Sequence, residues 1–302
     1  MSALPAPRVV VVGGGVAGLA TAGLLARGGA EVTLVERHDA LGGRSGRLEV
    51  EGHTFDTGPS WDLMPEAFDQ YFALMGRRVE DELDLIDLDP RYRVFFEGDA
   101  PDGPAEVLDV SADPEENWRR FDAMSPGAGA AMRAYADEAG ELYRFALERF
   151  LYTTYAQPHR AVNGEVLRRL PMLAGLLSKS LGARIAARIE DPRLRQVLGF
   201  HAVFLGSAPS RAPSLFSLMS HLDLTDGVRY PRGGMYEVIE ALARVAREEG
   251  AELRTSAPVR RILVGDRGLA TGVELESGEV IRADAVVSAA DLHHTETALV
   301  PA

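Results

Sequence analysis

Gly13, Gly15 and Gly18 stand in the run Gly13-Gly14-Gly15-Val16-Ala17-Gly18, which fits the spacing GxGxxG. Such a run lets main-chain N–H groups reach an anion. Gly13 would make a tight turn, Gly15 would let the backbone approach a pyrophosphate, and Gly18 would let a helix pack closely on a strand. Val16 and Ala17 open that helix, whose unpaired N–H groups and dipole favour negative charge. A lone GxGxxG is weak evidence, and Glu36 strengthens it. This acid closes a second β-branched run, Glu31 to Val35, about 20 residues after the turn, where a carboxylate can hold ribose hydroxyls. It would repel a 2′-phosphate and so disfavours NADP, although Arg37 beside it keeps that ligand open.

A second cluster follows, Leu41-Gly42-Gly43-Arg44-Ser45 and then Phe55-Asp56-Thr57-Gly58-Pro59-Ser60. Gly43 would let the main chain pass a bulky ligand, and Arg44 can neutralise diphosphate charge. Gly58-Pro59 makes a rigid turn into Ser60 that can lie along a flat ring. In isolation the same residues read as an ordinary turn. A nicotinamide-binding domain has no evident use for either element. His201 lies in an otherwise apolar stretch with no orienting acid beside it in the chain, which reads as a satisfied core histidine rather than a base. His293 and His294 have no further ligands at suitable spacing, so no metal site is expected. The absence of cysteine excludes thiolate catalysis, disulfides, cysteinyl flavin attachment and Cys-based metal sites.

The elements that must position these groups are of two kinds. Val9 to Val12 reads as a buried strand of a parallel sheet, Leu19 to Arg27 as the helix after the turn, and Glu31 to Val35 as the second strand. Later, Tyr236 to Glu249 predicts a helix with Val238, Ile239, Leu242, Val245 and Ala246 on its apolar face, capped by Gly250. Ala251 to Thr255 predicts a third parallel strand. Val259 to Val264, Leu269 to Leu275 and Glu279 to Ala283 predict an antiparallel meander, and Asp284 to Ala289 a further buried parallel strand. A short strand is expected near Arg47 to Val50. Between these blocks, helices are expected over Pro65 to Leu74, Pro114 to Met124, Ala130 to Tyr152, Glu165 to Arg188 and Pro192 to Phe204. Short strands over Arg91 to Glu97 and Ala105 to Val110 would bound a turn at Gly98 to Pro104. The expected fold class is α/β. A Rossmann-like FAD-binding domain, a parallel sheet with a β-meander crossover, would be built discontinuously from residues 1–63 and 227–302. A mainly helical substrate domain would span residues 64–226.

These motifs resemble the bacterial and fungal type phytoene desaturases, carotenoid desaturases within the flavin amine oxidase superfamily. The likeness is carried by Asp56-Thr57-Gly58-Pro59-Ser60-Trp61 and by Glu190-Asp191-Pro192-Arg193-Leu194-Arg195-Gln196-Val197-Leu198-Gly199-Phe200-His201 with Gly206. Tyr230-Pro231-Arg232-Gly233-Gly234 and Ser288-Ala289-Ala290-Asp291-Leu292-His293-His294-Thr295 extend it along nearly the whole chain. The resemblance implies an FAD-dependent oxidoreductase acting on CH–CH bonds of a carotenoid precursor. Hydride leaves an allylic C–H of the long polyene for the flavin, a neighbouring proton is lost, and a double bond forms. It further implies that the adenine is held at Val259, that the strand ending at Ala289 returns beside the cofactor, and that an acid–base pair near the flavin falls on Glu165 and Arg168. The family usually has Asp where this chain has Glu165, and a surface ion pair at a helix start is the alternative reading of the two. A carotenoid ketolase or isomerase, an amine oxidase, and an inactive truncated flavin-binding fragment remain alternative functions. Chains of the family continue past the length seen here to a glycine-rich motif against the flavin ring, and none follows Ala290. The C-terminal part of the fold is therefore expected to be missing and to be needed.

A formal charge of −13 at pH 7, without a basic run interleaved with aromatics, argues against nucleic acid as a partner. Leu167, Leu170, Leu173, Leu176, Leu177 and Leu181 make an amphipathic stretch that would suit either a membrane surface or packing on its own domain. Arg168, Arg169, Lys179, Arg184 and Arg188 interrupt it, so it is not expected to cross a bilayer. No signal-peptide core precedes Gly13. The expected place is the cytoplasm, with peripheral contact at the inner face of the membrane.

Overall fold

The computed structural model describes residues 5–97, 106–152 and 164–300, and of Glu165 only the backbone. The chain divides into two compact units, Met1–Ile86 with Arg229–Ala302, and Asp87–Val228. The first unit thus extends past the boundary expected at residue 63. The helix Pro65–Leu74 buries Tyr71 and Phe72 in the same core as Val9, Leu19 and Leu242, which binds it to the sheet.

The first unit is organised by a parallel sheet. Its strands stand in the order Ala285–Ser288, Arg8–Val12, Glu31–Val35, Glu252–Arg254, and every neighbouring pair is parallel. Val9 to Val12 are all buried, as expected of a β-branched run covered on both faces. Their alternation sorts them by face. Val9 and Val11 join the core made with the helices Val16–Arg27 and Tyr236–Glu248, whereas Val10 and Val12 join the core made with Ile262, Val273 and Leu275 of the meander. Tyr236–Glu248 turns Val238, Ile239, Leu242, Val245 and Ala246 inward, and fully burying one such larger side chain stabilises by about 1.5–3 kcal/mol. The meander Val259–Val264, Ala270–Leu275, Val280–Arg282 is antiparallel. Among the strands that went unpredicted, His53–Asp56 pairs antiparallel with Arg47–Val50. Its residues lie on the outside of the unit, so no alternation of buried and exposed types marked it.

The second unit contains the helices Pro114–Met124, Ala128–Ala146, Gly164–Ser178, Leu181–Ala186 and Pro192–Gly199, and an antiparallel pair, Tyr92–Phe96 with Glu106–Val110. The turn predicted at Gly98 to Pro104 falls outside the described residues. The single helix expected over Glu165 to Arg188 is two. Ser180 has extended backbone angles and its hydroxyl accepts the Ala183 N–H at 3.2 Å, capping a new helix. Asp113-Pro114 and Asp191-Pro192 start helices in the same way, with the acid as cap and proline at the first helical position. The core gathers Phe121, Met132, Tyr135, Leu181, Leu194 and Leu198. Among the described residues no helix is long and apolar enough to cross a membrane, and no group of three or more His, Asp or Glu could hold a metal ion.

Candidate functional site

The glycine turn follows the strand Arg8–Val12, at the carboxyl end of the sheet. Gly13 has φ +105°, and a Cβ there would lie 3.2 Å from the backbone of Ala289 and Ala290. At Gly18 a Cβ would fall 1.9 Å from the Gly13 carbonyl oxygen, a contact no relaxation of a side chain could relieve. Protein packing alone therefore demands these two glycines. Gly15 differs. Its φ of −79° suits any residue, and a Cβ would meet nothing nearer than Gly42 O at 3.7 Å and Gly43 Cα at 3.9 Å. The space at Gly15 is left open by the protein itself, at the N-terminus of a helix with no side-chain cap and no acid in its first turn. The N–H groups of Val16 and Ala17 belong to that first turn and have no intrahelical partner, which suits a diphosphate.

Glu36 is buried beside the turn. Its Oε2 accepts the Gly14 N–H at 2.6 Å and its Oε1 accepts the His38 N–H at 2.9 Å. A carboxylate offers about four acceptor positions, so two remain for hydroxyls. Arg37 is exposed and donates from Nε to His38 Nε2 at 3.0 Å. The second glycine loop docks on the first: Gly42 N–H donates to Gly14 O at 2.8 Å, and Gly15 pairs with Gly42 in an isolated bridge. Gly43 is exposed there, with φ +57°, and Arg44 next to it is exposed with no ionic partner among the described residues. Gly58 packs on that loop so closely that a Cβ would lie 2.1 Å from Arg44 O, which carries exposed Pro59 and Ser60 alongside. Ala289 N–H donates to Val12 O at 2.8 Å, which puts Ala289 against Gly13 and Gly18. Ala257 N–H donates to Glu36 main-chain O at 2.8 Å, and Val259 starts its strand two residues on.

One residue was quoted in the sequence only as part of a motif and proves central. Asp56 Oδ2 accepts the Tyr230 hydroxyl at 2.8 Å and the Met235 N–H at 2.9 Å, while Oδ1 accepts the Tyr236 N–H at 3.2 Å. Donation to Asp56, reinforced by burial, raises the Tyr230 pKa above its ordinary value. Tyr236 donates its hydroxyl to Leu41 O at 3.0 Å, with the Arg47 guanidinium 4.6 Å from its ring centre. The segment Arg229–Tyr236 is thereby tied to the loop that holds Arg44 and Gly58. Only the place of Tyr230-Pro231-Arg232-Gly233-Gly234 in the resemblance hinted at this, because the partners are separated by more than 170 residues.

In the second unit, Arg168 is exposed on the helix Gly164–Ser178, and its Nε donates to Gly164 O at 3.2 Å. The side chain of Glu165 lies outside the described residues. His201, expected to lack an acidic neighbour, has one: Asp223 Oδ1 stands 3.3 Å from its Nε2, both residues buried. The acid was invisible in the sequence because it arrives from a different element, the turn Leu222–Asp226.

A parallel sheet that carries a glycine turn, a buried acid and a second glycine loop at its strand ends defines a dinucleotide-binding flavoprotein fold. The chain belongs to the flavin containing amine oxidoreductase family, which it matches over residues 16–301. FAD is the cofactor that the cradle fits. Among curated relatives, the chain is 38% identical to a carotenoid 3,4-desaturase of Haloarcula japonica over 301 residues, 100% of this chain and 59% of the relative. It is 38% identical to a zeta-carotene-forming phytoene desaturase of Myxococcus xanthus, over 94% of this chain and 53% of the relative. The chain thus spans little more than half the length of these relatives. Among solved structures, putrescine oxidase bound to putrescine superposes with a TM-score of 0.62 at 18% identity, over 97% of this chain and 60% of that one. A fatty acid isomerase from P. acnes superposes with a TM-score of 0.57 at 16% identity, over 100% of this chain and 62% of that one. At such identities the likeness speaks for the fold.

Proposed function

We propose that the chain carries the FAD-binding part of a carotenoid desaturase, an oxidoreductase that introduces double bonds into a long polyene. The observation that carries this reading is the 38% identity to carotenoid and phytoene desaturases over 94–100% of the chain, helical segment included, against 18% for putrescine oxidase. Bound FAD supplies the acceptor for a hydride taken from a C–H bond. The first unit is the cofactor domain. The N–H groups at Gly15, Val16 and Ala17 receive the diphosphate, Arg44 neutralises it, and the free lone pairs of Glu36 take ribose hydroxyls, with Arg37 at the edge. Val259 holds the adenine, while Gly43, Gly58, Pro59, Ser60 and Ala289 line the path of the ring system. The second unit is the substrate domain, where Glu165 and Arg168 are the acid–base pair that serves the proton lost from the polyene.

The same unit exposes Leu167, Leu170, Met172 and Leu177 on one helix and Phe200, Val203, Phe204 and Leu205 on the segment after another. That much exposed apolar surface supports peripheral contact with the inner face of a membrane from the cytoplasm, where a lipid-dissolved polyene is reached. Vesicle flotation tests it, and protein that stays at the bottom of the gradient with both neutral and anionic lipid removes it. The acidic charge leaves nucleic acid out of the proposed partners.

The share of the relatives' length that is covered favours a second reading, a flavin-binding piece whose turnover requires the remaining chain. The two separate in one experiment. Purified protein is soaked with FAD, the released cofactor is identified after denaturation, and conversion of phytoene in liposomes is followed by absorbance. Stoichiometric FAD with a lengthened polyene supports the desaturase. FAD without conversion selects the second reading, and protein that retains no flavin overturns both.

A further inference from the structure

The second unit buries a charged cluster that the proposed reaction does not use. Asp223 Oδ2 accepts the Tyr92 hydroxyl at 2.6 Å, and its main-chain carbonyl accepts Arg91 Nη1 at 2.7 Å. Arg91 also donates from Nη2 to the carbonyls of Ala112 and Thr225, at 2.9 and 3.1 Å. Asp223 Oδ1 has no aligned hydrogen-bond donor; what faces it is His201 Nε2 at 3.3 Å, an ion-pair contact. On the opposite side of the ring, Nδ1 stands 3.2 Å from the Leu198 carbonyl oxygen.

Both neighbours of the ring nitrogens are therefore acceptors. A carbonyl oxygen cannot donate, and an ionised carboxylate cannot either. Neutral imidazole owns a single N–H, so it would direct a lone pair at one of the two acceptors whichever tautomer it took. In a buried site that leaves an acceptor unsatisfied, at a cost of about 1–3 kcal/mol or more for a charged group. The doubly protonated ring donates to the Leu198 carbonyl and sets its charge against Asp223 Oδ1. Placing the proton on Asp223 instead is disfavoured by the Tyr92 hydroxyl, which donates to the carboxylate. Burial, and then Asp223, hold the Tyr92 phenol well above its usual pKa, so it remains a donor.

We infer that His201 is a buried imidazolium that clamps the segment Phe200–Leu205 to the turn Leu222–Asp226, and that losing its proton as pH rises beyond the ordinary histidine range releases that segment. Among the described residues, the charged and titratable groups gathered at the ring are Asp223, with Tyr92 and Arg91 behind it. The rings of Phe200 and Phe204, with centroids 6.0 and 6.2 Å away, close the other sides. Burial opposes the charge, but Asp223 and the Leu198 carbonyl outweigh it and raise the His201 pKa above the ordinary histidine value. A raised folded-state pKa adds stability that is complete below the ordinary value and fades as pH rises through the raised one. The segment held in this way carries exposed Phe200, Val203, Phe204 and Leu205. The clamp thus governs how firmly an apolar surface is presented.

The test is a pH titration of the full chain, labelled with 15N in its histidines and followed by NMR. Free histidine in the same buffer is the reference, and His201→Gln identifies the signal. Expected is a His201 that keeps protons on both nitrogens at pH values where free histidine has become neutral, and an Asp223→Asn variant in which that midpoint drops to the reference or below. A His201 that loses its second N–H at or below the pH at which free histidine does overturns the inference. Hydrogen exchange over residues 200–205, corrected for intrinsic rates, should lose protection by up to about tenfold per pH unit between the ordinary histidine value and the His201 midpoint, and level off above it. In His201→Gln it should be low at every pH. Protection in the wild-type chain that ignores the midpoint rules out the clamp even if the ring is charged.

Discussion

The two units handle polar groups in opposite ways. In the first, the site is made of main chain: N–H groups at the start of a helix, with glycines where atoms approach too closely for a Cβ, and one buried acid bonded to backbone at both oxygens. In the second, the polar centre is made of side chains, with Arg91, Tyr92, His201 and Asp223 brought from three separate stretches of chain. A main-chain site leaves its positions open for a ligand and is intolerant of added atoms. A side-chain cluster uses its groups on one another and is intolerant of their removal.

Substitutions at one turn sharpen that contrast most. Gly18→Ala places a carbon inside the Gly13 carbonyl contact and should cost about 3 kcal/mol or more, read as a lowered denaturant midpoint or failure to fold. Gly15→Ala should leave the midpoint nearly unchanged and weaken FAD retention by about tenfold or more, because its Cβ occupies space that only a ligand would fill. Equal effects of the two on stability would break the distinction. Arg91→Met removes donors from three carbonyls, one buried and two part-buried, and should destabilise by about 3 kcal/mol while leaving FAD affinity alone, checked by urea unfolding beside flavin titration.

Glu36→Gln keeps the shape but weakens acceptance from the Gly14 and His38 N–H groups. A loss of about 1–2 kcal/mol is expected, with an additional drop in FAD affinity. If only stability falls, the acid serves the turn and not the ribose. The smallest effect belongs to the cap Asp191, whose carboxylate accepts the Arg193 N–H at 2.8 Å and pairs with its guanidinium at 2.6 Å. Arg193 lowers its pKa below the usual carboxylate value. The stability it adds is therefore present above the ordinary range and lost as pH falls through the lowered value. Asp191→Ala should cost about 1 kcal/mol at neutral pH and flatten the acid limb of the stability profile of the second unit.

Much of the first unit could be read from the chain. The glycine spacing, the valine run, the acid ending the second strand and the apolar face of Tyr236–Glu248 are local patterns whose physics acts between near neighbours. Helix starts at Asp113-Pro114 and Asp191-Pro192 were legible for the same reason, since a cap is a contact over two or three residues. The break at Ser180 carried a similar signal, but the leucines on both sides of it read as one continuous apolar stripe. The hairpin strand His53–Asp56 escaped because neither face is buried. The first unit also takes in Pro65–Leu74, since a helix pattern shows which face is apolar but not which core receives it.

By itself the sequence determined the parallel order of strand, turn, helix and strand, the dinucleotide character of the turn, and the likeness to FAD-dependent desaturases. These rest on residue type and short spacing. Tertiary structure alone decided which atoms crowd Gly13 and Gly18, that Asp56 ties Tyr230 and Tyr236 to the second glycine loop, and that His201 has an acid against it. Each of those depends on atoms brought within a few ångströms from distant parts of the chain, and composition and spacing carry no record of such distances.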